Sequence, residues 1–376
     1  MLCLVIFTPS EKGRNCLVCF YQKLFAFKQS VCYNDTNFQK GGVFLATLDD
    51  IAQELGISKS TVSKALNDAK DVSKRMKQAV LEKAVELGYS RSARTSDAPR
   101  LAVFITNMEY TKPEDFGYEI VVGFRQAAEP AGFHVELIPL DFTLQNQMRY
   151  DEYMVLNNYC GGLFLGLSLL DPWIREFETC RTPTVLYDNH ISGNPNVTDI
   201  GVDNIEGIAL ACRYLQSLGH KRIGYLSSAL QAYVYRQRYQ AFSRVMTENG
   251  LKADEDVMGS SFQITACLTE HLPRLLENGC TAIICSHDLL ANSVMLHCRD
   301  LGLRVPEDIS IMGFDDIPLC RYTIPPLTTI RQNRPALGKS AFYALSCHLK
   351  GVSLSTHLLH AELIRRGSCT VAPANK

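Results

Sequence analysis

Two hydrophobic rhythms divide this chain. Between Thr47 and Leu87 apolar residues recur every three to four positions, the period of a helix with one buried face. Leu48, Ile51, Ala52 and Leu55 form one such set, and Ile57, Val62, Ala65 and Leu66 a second. Thr47 can cap the first helix, with Asp49 and Asp50 in its first turn where the helix dipole favours carboxylates. Gly56 permits a left-handed stop, and Ser58 caps a second helix at once. A third stretch, Ser73 to Leu87, carries Met76, Val80, Ala84 and Leu87 on one face and ends at Gly88. The pattern predicts a helix-turn-helix in a three-helix domain of about fifty residues, a size that can fold alone.

From Leu101 the rhythm changes to continuous apolar runs separated by amphipathic stretches. The runs Leu101–Thr106, His134–Pro139, Gly162–Gly166, Thr184–Tyr187, Arg222–Leu226, Ala282–Cys285 and Ile309–Gly313 read as strands, and Ile120–Ala131 reads as a helix. Such runs predict parallel sheets covered on both faces. Nearly 270 residues of this alternation divide into two doubly wound α/β lobes.

The outer face of the second helix changes the picture from architecture to chemistry. Lys59, Ser60, Thr61, Ser63, Lys64 and Asn67 are lysines, hydroxyls and an amide without a carboxylate, a face that can enter the negatively charged major groove. Ser58 and the free N–H groups beside it can hold a phosphate. The whole chain has a net charge of −1, which excludes a general polyanion coat. From Thr47 to Ser96 there are nine Lys/Arg against seven Asp/Glu, so placement matters more than the excess of two.

With 376 residues, 46% of them hydrophobic, two or three globular domains are expected. The fourteen cysteines are scattered among apolar neighbours, and reduced thiols in the cytoplasm are expected. There is no apolar run of membrane length and no signal-like start. Cys3, Cys16, Cys19 and Cys32 have no regular metal spacing, so no metal is expected. Lys40-Gly41-Gly42 has the coding shadow of a ribosome-binding site, and Leu45 follows where a TTG or CTG start codon would lie. Residues 1–45 are therefore expected to be a non-native or disordered extension.

Several stretches resemble the LacI/GalR family of bacterial transcription regulators. Thr47-Leu48-x-Asp50-Ile51-Ala52, Gly56-Ile57-Ser58, Thr61-Val62-Ser63-Lys64-x-Leu66-Asn67 and Glu86-Leu87-Gly88-Tyr89 match its headpiece. Gly201-Val202-Asp203-Asn204, Leu218-Gly219-His220, Arg238-x-x-Ala241-Phe242, Gly313-Phe314-Asp315-Asp316 and Pro325-Pro326-Leu327-Thr328-Thr329-Ile330-Arg331-Gln332 match its effector domain. The resemblance covers about Thr47 to Ser368. It implies an all-α helix-turn-helix headpiece at 46–90, a linker at 91–100 and a periplasmic-binding-protein-like α/β effector domain at 101–376. Lobe 1 is expected at about 101–200 and 331–356, and lobe 2 at about 201–330 and 357–372.

The implied function is a sequence-specific repressor acting as a homodimer on a double-stranded DNA operator, relieved or reinforced by a small molecule, most simply a carbohydrate, between the lobes. Thr47, Ser58, Lys59, Ser60, Thr61, Ser63, Lys64 and Asn67 are the expected DNA-contacting residues. Asp188, Arg238, Asp288 and Asp315, polar residues at strand ends or on a helix start, are the expected effector-binding set. For Asp288 and Asp315 a helix-capping role competes. Tyr110, Phe116, Tyr118 and Trp173 are stacking candidates for which packing is the competing role, and His287 stands where the family has Asn.

The dimer interface is expected on the first lobe. No heptads follow Ile364 that would build a tetramerising coiled coil. The linker is short and lacks the family's wedging leucine, so Arg91, Arg94 and Arg100 are expected at phosphates or a narrow minor groove. A sugar-active enzyme is the alternative. It lacks a G-x-S-x-G elbow, a phosphate loop, a dinucleotide fingerprint and a metal cluster, so no catalysis and no cofactor are expected.

Overall fold

The computed structural model describes residues 46–89 and 98–373. Residues 1–45, expected to be an extension, and Arg91 and Arg94, expected near DNA, lie outside the described residues.

The headpiece begins with α1 (Leu48–Leu55). Its cap is reciprocal: the Thr47 hydroxyl accepts from the Asp50 N–H at 2.9 Å, and the Thr47 N–H donates to the Asp50 carboxylate at 2.6 Å. Gly56, at φ 64°, ends α1 in the left-handed region. Ser58 caps α2 (Lys59–Leu66) and Ser73 caps α3 (Lys74–Glu86). Ile51, Val62, Val80 and Ala84 are fully buried at the centre of this small core. Val155, from helix α5 (Tyr150–Leu156) of the next domain, packs against the same cluster. Gln78 donates to Glu152 at 3.1 Å, and the Arg181 guanidinium donates to the Glu86 carbonyl, so the headpiece rests on that helix.

Two six-stranded sheets follow. The first has the order β11-β5-β4-β3-β1-β2. Its strands are β1 (Arg100–Ile105), β2 (His134–Pro139), β3 (Tyr159–Leu165), β4 (Thr184–Tyr187), β5 (Val197–Val202) and β11 (Thr356–Leu359), all parallel. The second has the order β12-β10-β9-β8-β6-β7. It is built from β6 (Ile223–Ser227), β7 (Met258–Ser260), β8 (Ala282–Cys285), β9 (Ser310–Asp315), β10 (Thr328–Arg331) and β12 (Glu362–Ile364). Only β12 runs antiparallel, against β10.

Helices α4 (Tyr118–Ala128) and α9 (Arg334–Leu349) cover one face of the first sheet. An aromatic cluster around Phe104, Tyr150, Phe164 and Trp173 fills the other. Trp173 is fully buried there, so its role is packing. Helices α6 (Asn204–Ser217), α7 (Tyr233–Glu248) and α8 (Asp288–Asp300) pack into the core of the second lobe.

The chain passes between the sheets after β5, after β10 and between β11 and β12. The last passage corrects the expected boundary at 356/357, because β11 pairs with β5 of the first sheet through Leu359. Arg100 is a second correction. Its guanidinium binds Glu136 and the Asn157 carbonyl and lies 4.8 Å from the Tyr159 ring, so it is committed to the first lobe.

Candidate functional site

Two candidate sites follow from the expected residues, one on the headpiece and one where the two lobes meet. On α2, Lys59, Ser60, Lys64 and Asn67 are exposed and Thr61 and Ser63 partly so. The Ser58 hydroxyl accepts from the Thr61 N–H at 3.2 Å and meets the Ser60 and Thr61 hydroxyls at 2.8 Å. Thr47 spends its hydroxyl on the α1 cap. Asn67 donates to the Ser63 carbonyl at 2.8 Å. The helix itself carries no carboxylate, as its sequence indicates, yet its neighbours supply two. Asp49 reaches Lys59 at 2.7 Å and Asp71 reaches Lys64 at 2.5 Å.

The interlobe site is organised by Arg238, in the second turn of α7 and 1% exposed. A buried guanidinium must have its N–H groups satisfied. Here Nε donates to Asn204 Oδ1 at 2.8 Å, and Nη1 donates to the Ser286 carbonyl at 2.7 Å and to Asp315 Oδ1 at 3.2 Å. The guanidinium carbon sits 3.6 Å from the centre of the Phe314 ring, a cation–π platform. Asp315 ends β9 at φ 116° and also accepts from Gln332 Nε2 at 2.7 Å. Gln332 in turn accepts from the Tyr187 hydroxyl at 3.0 Å. A hydrogen-bonded chain thus runs from the first lobe (Tyr187) through the crossover (Gln332) to the second lobe's Asp315 and Arg238.

Asp188 follows Tyr187 at φ 54°. A Cβ at Gly201 would lie 2.7 Å from its Oδ1, so a larger residue there would push the carboxylate aside. Burial pushes the Asp188 carboxyl up to about 6, partly offset by the positive charge of Arg238. Across the gap, the His190 ring stacks on Tyr233 at 5.8 Å and pairs with Asp199.

His287 caps α8, accepting from the Leu290 N–H on Nδ1 at 3.2 Å, which leaves Nε2–H facing the Ser228 hydroxyl at 2.7 Å. Burial pulls its pKa down to about 4, so the imidazole is neutral at physiological pH. Tyr235 lies 5.4 Å from it, ring to ring.

The structure therefore brings Arg238, Asp315 and Asp188 into one electrostatic group. Asp288 is committed elsewhere: Oδ1 accepts from Thr329 at 2.6 Å and Oδ2 from the Ile317 N–H at 2.9 Å, holding the loop after β9. Phe116 tilts against Tyr187 at 6.5 Å and carries Arg334 at 5.3 Å. Tyr110 packs against the first lobe's core, and Tyr118 begins α4. Residue-by-residue reading missed Tyr187, Gln332, Asn204 and the Phe314 platform. Asn204, Phe314 and Gln332 lie in stretches that resemble the family, which mark them without giving them a role, and Tyr187 shows only as the end of an apolar run. A polar cavity of about 220 Å³ opens beside this crossover, lined by Glu119, Asp316, Arg321, Arg331 and Arg334 among others. Among the described residues no group of three or more His, Cys, Asp or Glu could hold a metal ion.

The chain matches the model of bacterial regulatory proteins of the lacI family over residues 47–92. It matches that of the periplasmic binding protein-like domain over residues 212–369. It is 28% identical to the HTH-type transcriptional repressor CytR of Escherichia coli strain K12, over 87% of this chain and 97% of that one. It is 29% identical to the HTH-type transcriptional regulator MalR of Streptomyces coelicolor, over 88% and 98%. Among solved structures it resembles a complex of the transcriptional regulator CelR with cellobiose, with a TM-score of 0.62 and 23% identity over 86% of this chain and 99% of that one. It also resembles the lac repressor dimer bound to operator and the anti-inducer ONPF, with a TM-score of 0.58 and 22% identity over 87% and 99%.

Proposed function

Because the chain belongs to the LacI family of bacterial transcriptional regulators, we propose that it represses transcription as a cytoplasmic homodimer, each headpiece reading half of a pseudo-palindromic operator. The effector is a small polyhydroxylated molecule, most simply a sugar, held between the lobes by Arg238, Asp315 and Asp188. The observation that supports this reading is the Arg238–Asp315 pair on its Phe314 platform, linked through Gln332 to Tyr187 of the other lobe. A ligand hydroxyl that bonds this pair changes a network both lobes share, and so favours one lobe arrangement over the other. A coupling free energy of about 1–3 kcal/mol suffices to change operator occupancy. A similar structure holds cellobiose, which supports the carbohydrate class.

Base reading falls to Lys59, Ser60 and Lys64, with Thr61, Ser63 and Asn67 beside them and Ser58 and Thr47 at the helix starts. The described residues include no helix long and apolar enough to cross a membrane. Large apolar side chains stand exposed on the second lobe at Leu289, Leu296, Leu319, Tyr322 and Ile324. We take these as the side chains that a second copy of the chain would cover. The interface expected on the first lobe then extends to this one.

The test has two arms. Wild-type protein should enrich a defined, two-fold symmetric sequence from a randomised duplex pool. A thermal-shift screen against mono- and disaccharides should then find a compound that alters binding to that duplex. Arg238→Ala and Asp315→Ala should lower the melting temperature and abolish the response, while still binding the duplex at temperatures where the melt shows them folded. Release of the double variant by the same compound at the same concentration rules out this ligand site.

A further inference from the structure

Both lysines of α2 are held by carboxylates from outside the helix. Lys59 pairs with Asp49 of α1, and Lys64 with Asp71 of the loop before α3. All four side chains are more than half exposed, so the pairs sit on the surface that would meet DNA. The Lys64 ammonium holds the Asp71 carboxyl below its usual range. Among the other described headpiece cations, Lys77 pairs with Asp68 and Lys83 with Glu54 and Glu86. Lys70, Lys74 and Arg75 are exposed and form no ion pair among the described residues. Both lysines of the recognition face are thus neutralised, whereas three exposed cations outside it are not.

We propose that Asp49 and Asp71 are specificity-determining residues that keep Lys59 and Lys64 from phosphates, so that only a suitable base edge engages them. This rests on the reading of α2 as the base-contacting helix. Non-specific affinity comes from lysines and arginines that displace counterions from phosphates. A lysine tied to a carboxylate adds little to that term, because freeing it forfeits the pair and leaves an aspartate beside the DNA backbone. Guanine offers two acceptors, O6 and N7, on one edge in the major groove. A lysine can turn to that edge while its aspartate remains close, or the aspartate can accept from a neighbouring cytosine amine. The pairs therefore weaken binding to arbitrary sequence more than binding to the right one.

The test compares wild type with Asp49→Asn, Asp71→Asn and the double variant. Asp68→Asn serves as the control: it removes the same charge, but Lys77 remains bonded to the Asp68 carbonyl at 3.2 Å. Circular dichroism and thermal melts establish that each variant folds. Binding is measured from low to moderate salt on poly(dI-dC) and on duplexes that the wild type enriches from a randomised pool. For the double variant, poly(dI-dC) affinity should rise roughly tenfold at low salt, and the slope of log affinity against log salt should steepen by about one per aspartate removed. Affinity for the enriched duplexes should change less, so the specificity ratio falls.

An unchanged slope, or a change no larger than that of Asp68→Asn, overturns the proposal while leaving the DNA-reading assignment standing. A wild type that enriches no sequence removes that assignment, and this proposal with it.

Discussion

Asp288 and Asp188 both lie at the carboxyl ends of strands in the sequence, yet their surroundings give them opposite tasks. The Asp288 carboxylate is consumed by Thr329 and the Ile317 N–H inside the second lobe. Asp288→Ala would leave those buried donors unpaired, so a loss of about 2–4 kcal/mol is expected, read as a lower melting temperature. An unchanged melt with lost effector response would reverse this and make Asp288 a ligand.

Asp188 carries a carboxyl raised by burial to about 6. A ligand hydroxyl donating to the carboxylate stabilises its charged form, so the bound complex has the lower pKa. The sign follows: affinity is complete above about pH 7 and falls as pH drops through 6, by up to about tenfold per unit. Titration calorimetry from pH 5 to 8 should show this fall with proton release on binding near pH 6. Asp188→Asn should flatten the profile, and a pH-dependence that survives in that variant excludes Asp188 as its source.

Among the helices, α4 and α9 meet by glycines. A Cβ on Gly338 would lie 2.0 Å from the Ile120 carbonyl, and one on Gly123 would lie 2.2 Å from the Pro335 carbonyl. Backbone cannot yield as a side-chain tip does, so Gly338→Ala should force the helices apart and cost about 1–3 kcal/mol, the scale of overpacking. A melting curve matching wild type would show that the contact is slack. Asn333 caps α9 directly after Gln332, and Arg334 and Pro335 open the helix, so the same change should also disturb the crossover beside Asp315.

The elements also show what sequence can reveal. β2, β4 and β8 fall on the residues their apolar runs indicate, and Thr47, Gly56, Ser58 and Ser73 mark the headpiece helix ends they were expected to mark. β5 gave no such run because it is Val-Thr-Asp-Ile-Gly-Val: Thr198 bonds the Leu354 carbonyl and Asp199 pairs with His190, satisfactions visible only in three dimensions. The short β10, β11 and β12 were hidden for a related reason, since their neighbours are brought by chain passages from far along the sequence. Arg238 and Asp315 were legible through a family pattern; the Tyr187–Gln332 link between them and the first lobe was not.

At the scale of the whole molecule, the proposal requires two copies. A single headpiece presents one eight-residue helix to the groove and offers few base contacts. Joining two on one pseudo-palindrome makes the second contact intramolecular and can raise overall affinity by about 10²–10⁴. The exposed apolar side chains of the second lobe should supply that join. Leu296 is 45% exposed on α8 and Ile324 is 91% exposed on the loop after β9, so charging them should spare the fold. Leu296→Glu with Ile324→Glu is expected to sediment as a monomer with an unchanged melting curve at low protein concentration. Its affinity for a symmetric duplex should fall by about two to four orders of magnitude, to the level of a duplex carrying one half-site. Effector binding, built within one chain by Arg238, Asp315 and Asp188, should survive. A variant that still sediments as a dimer places the join on the first lobe alone. A monomer that keeps full affinity would mean that one headpiece suffices, and the pseudo-palindromic reading would have to be abandoned.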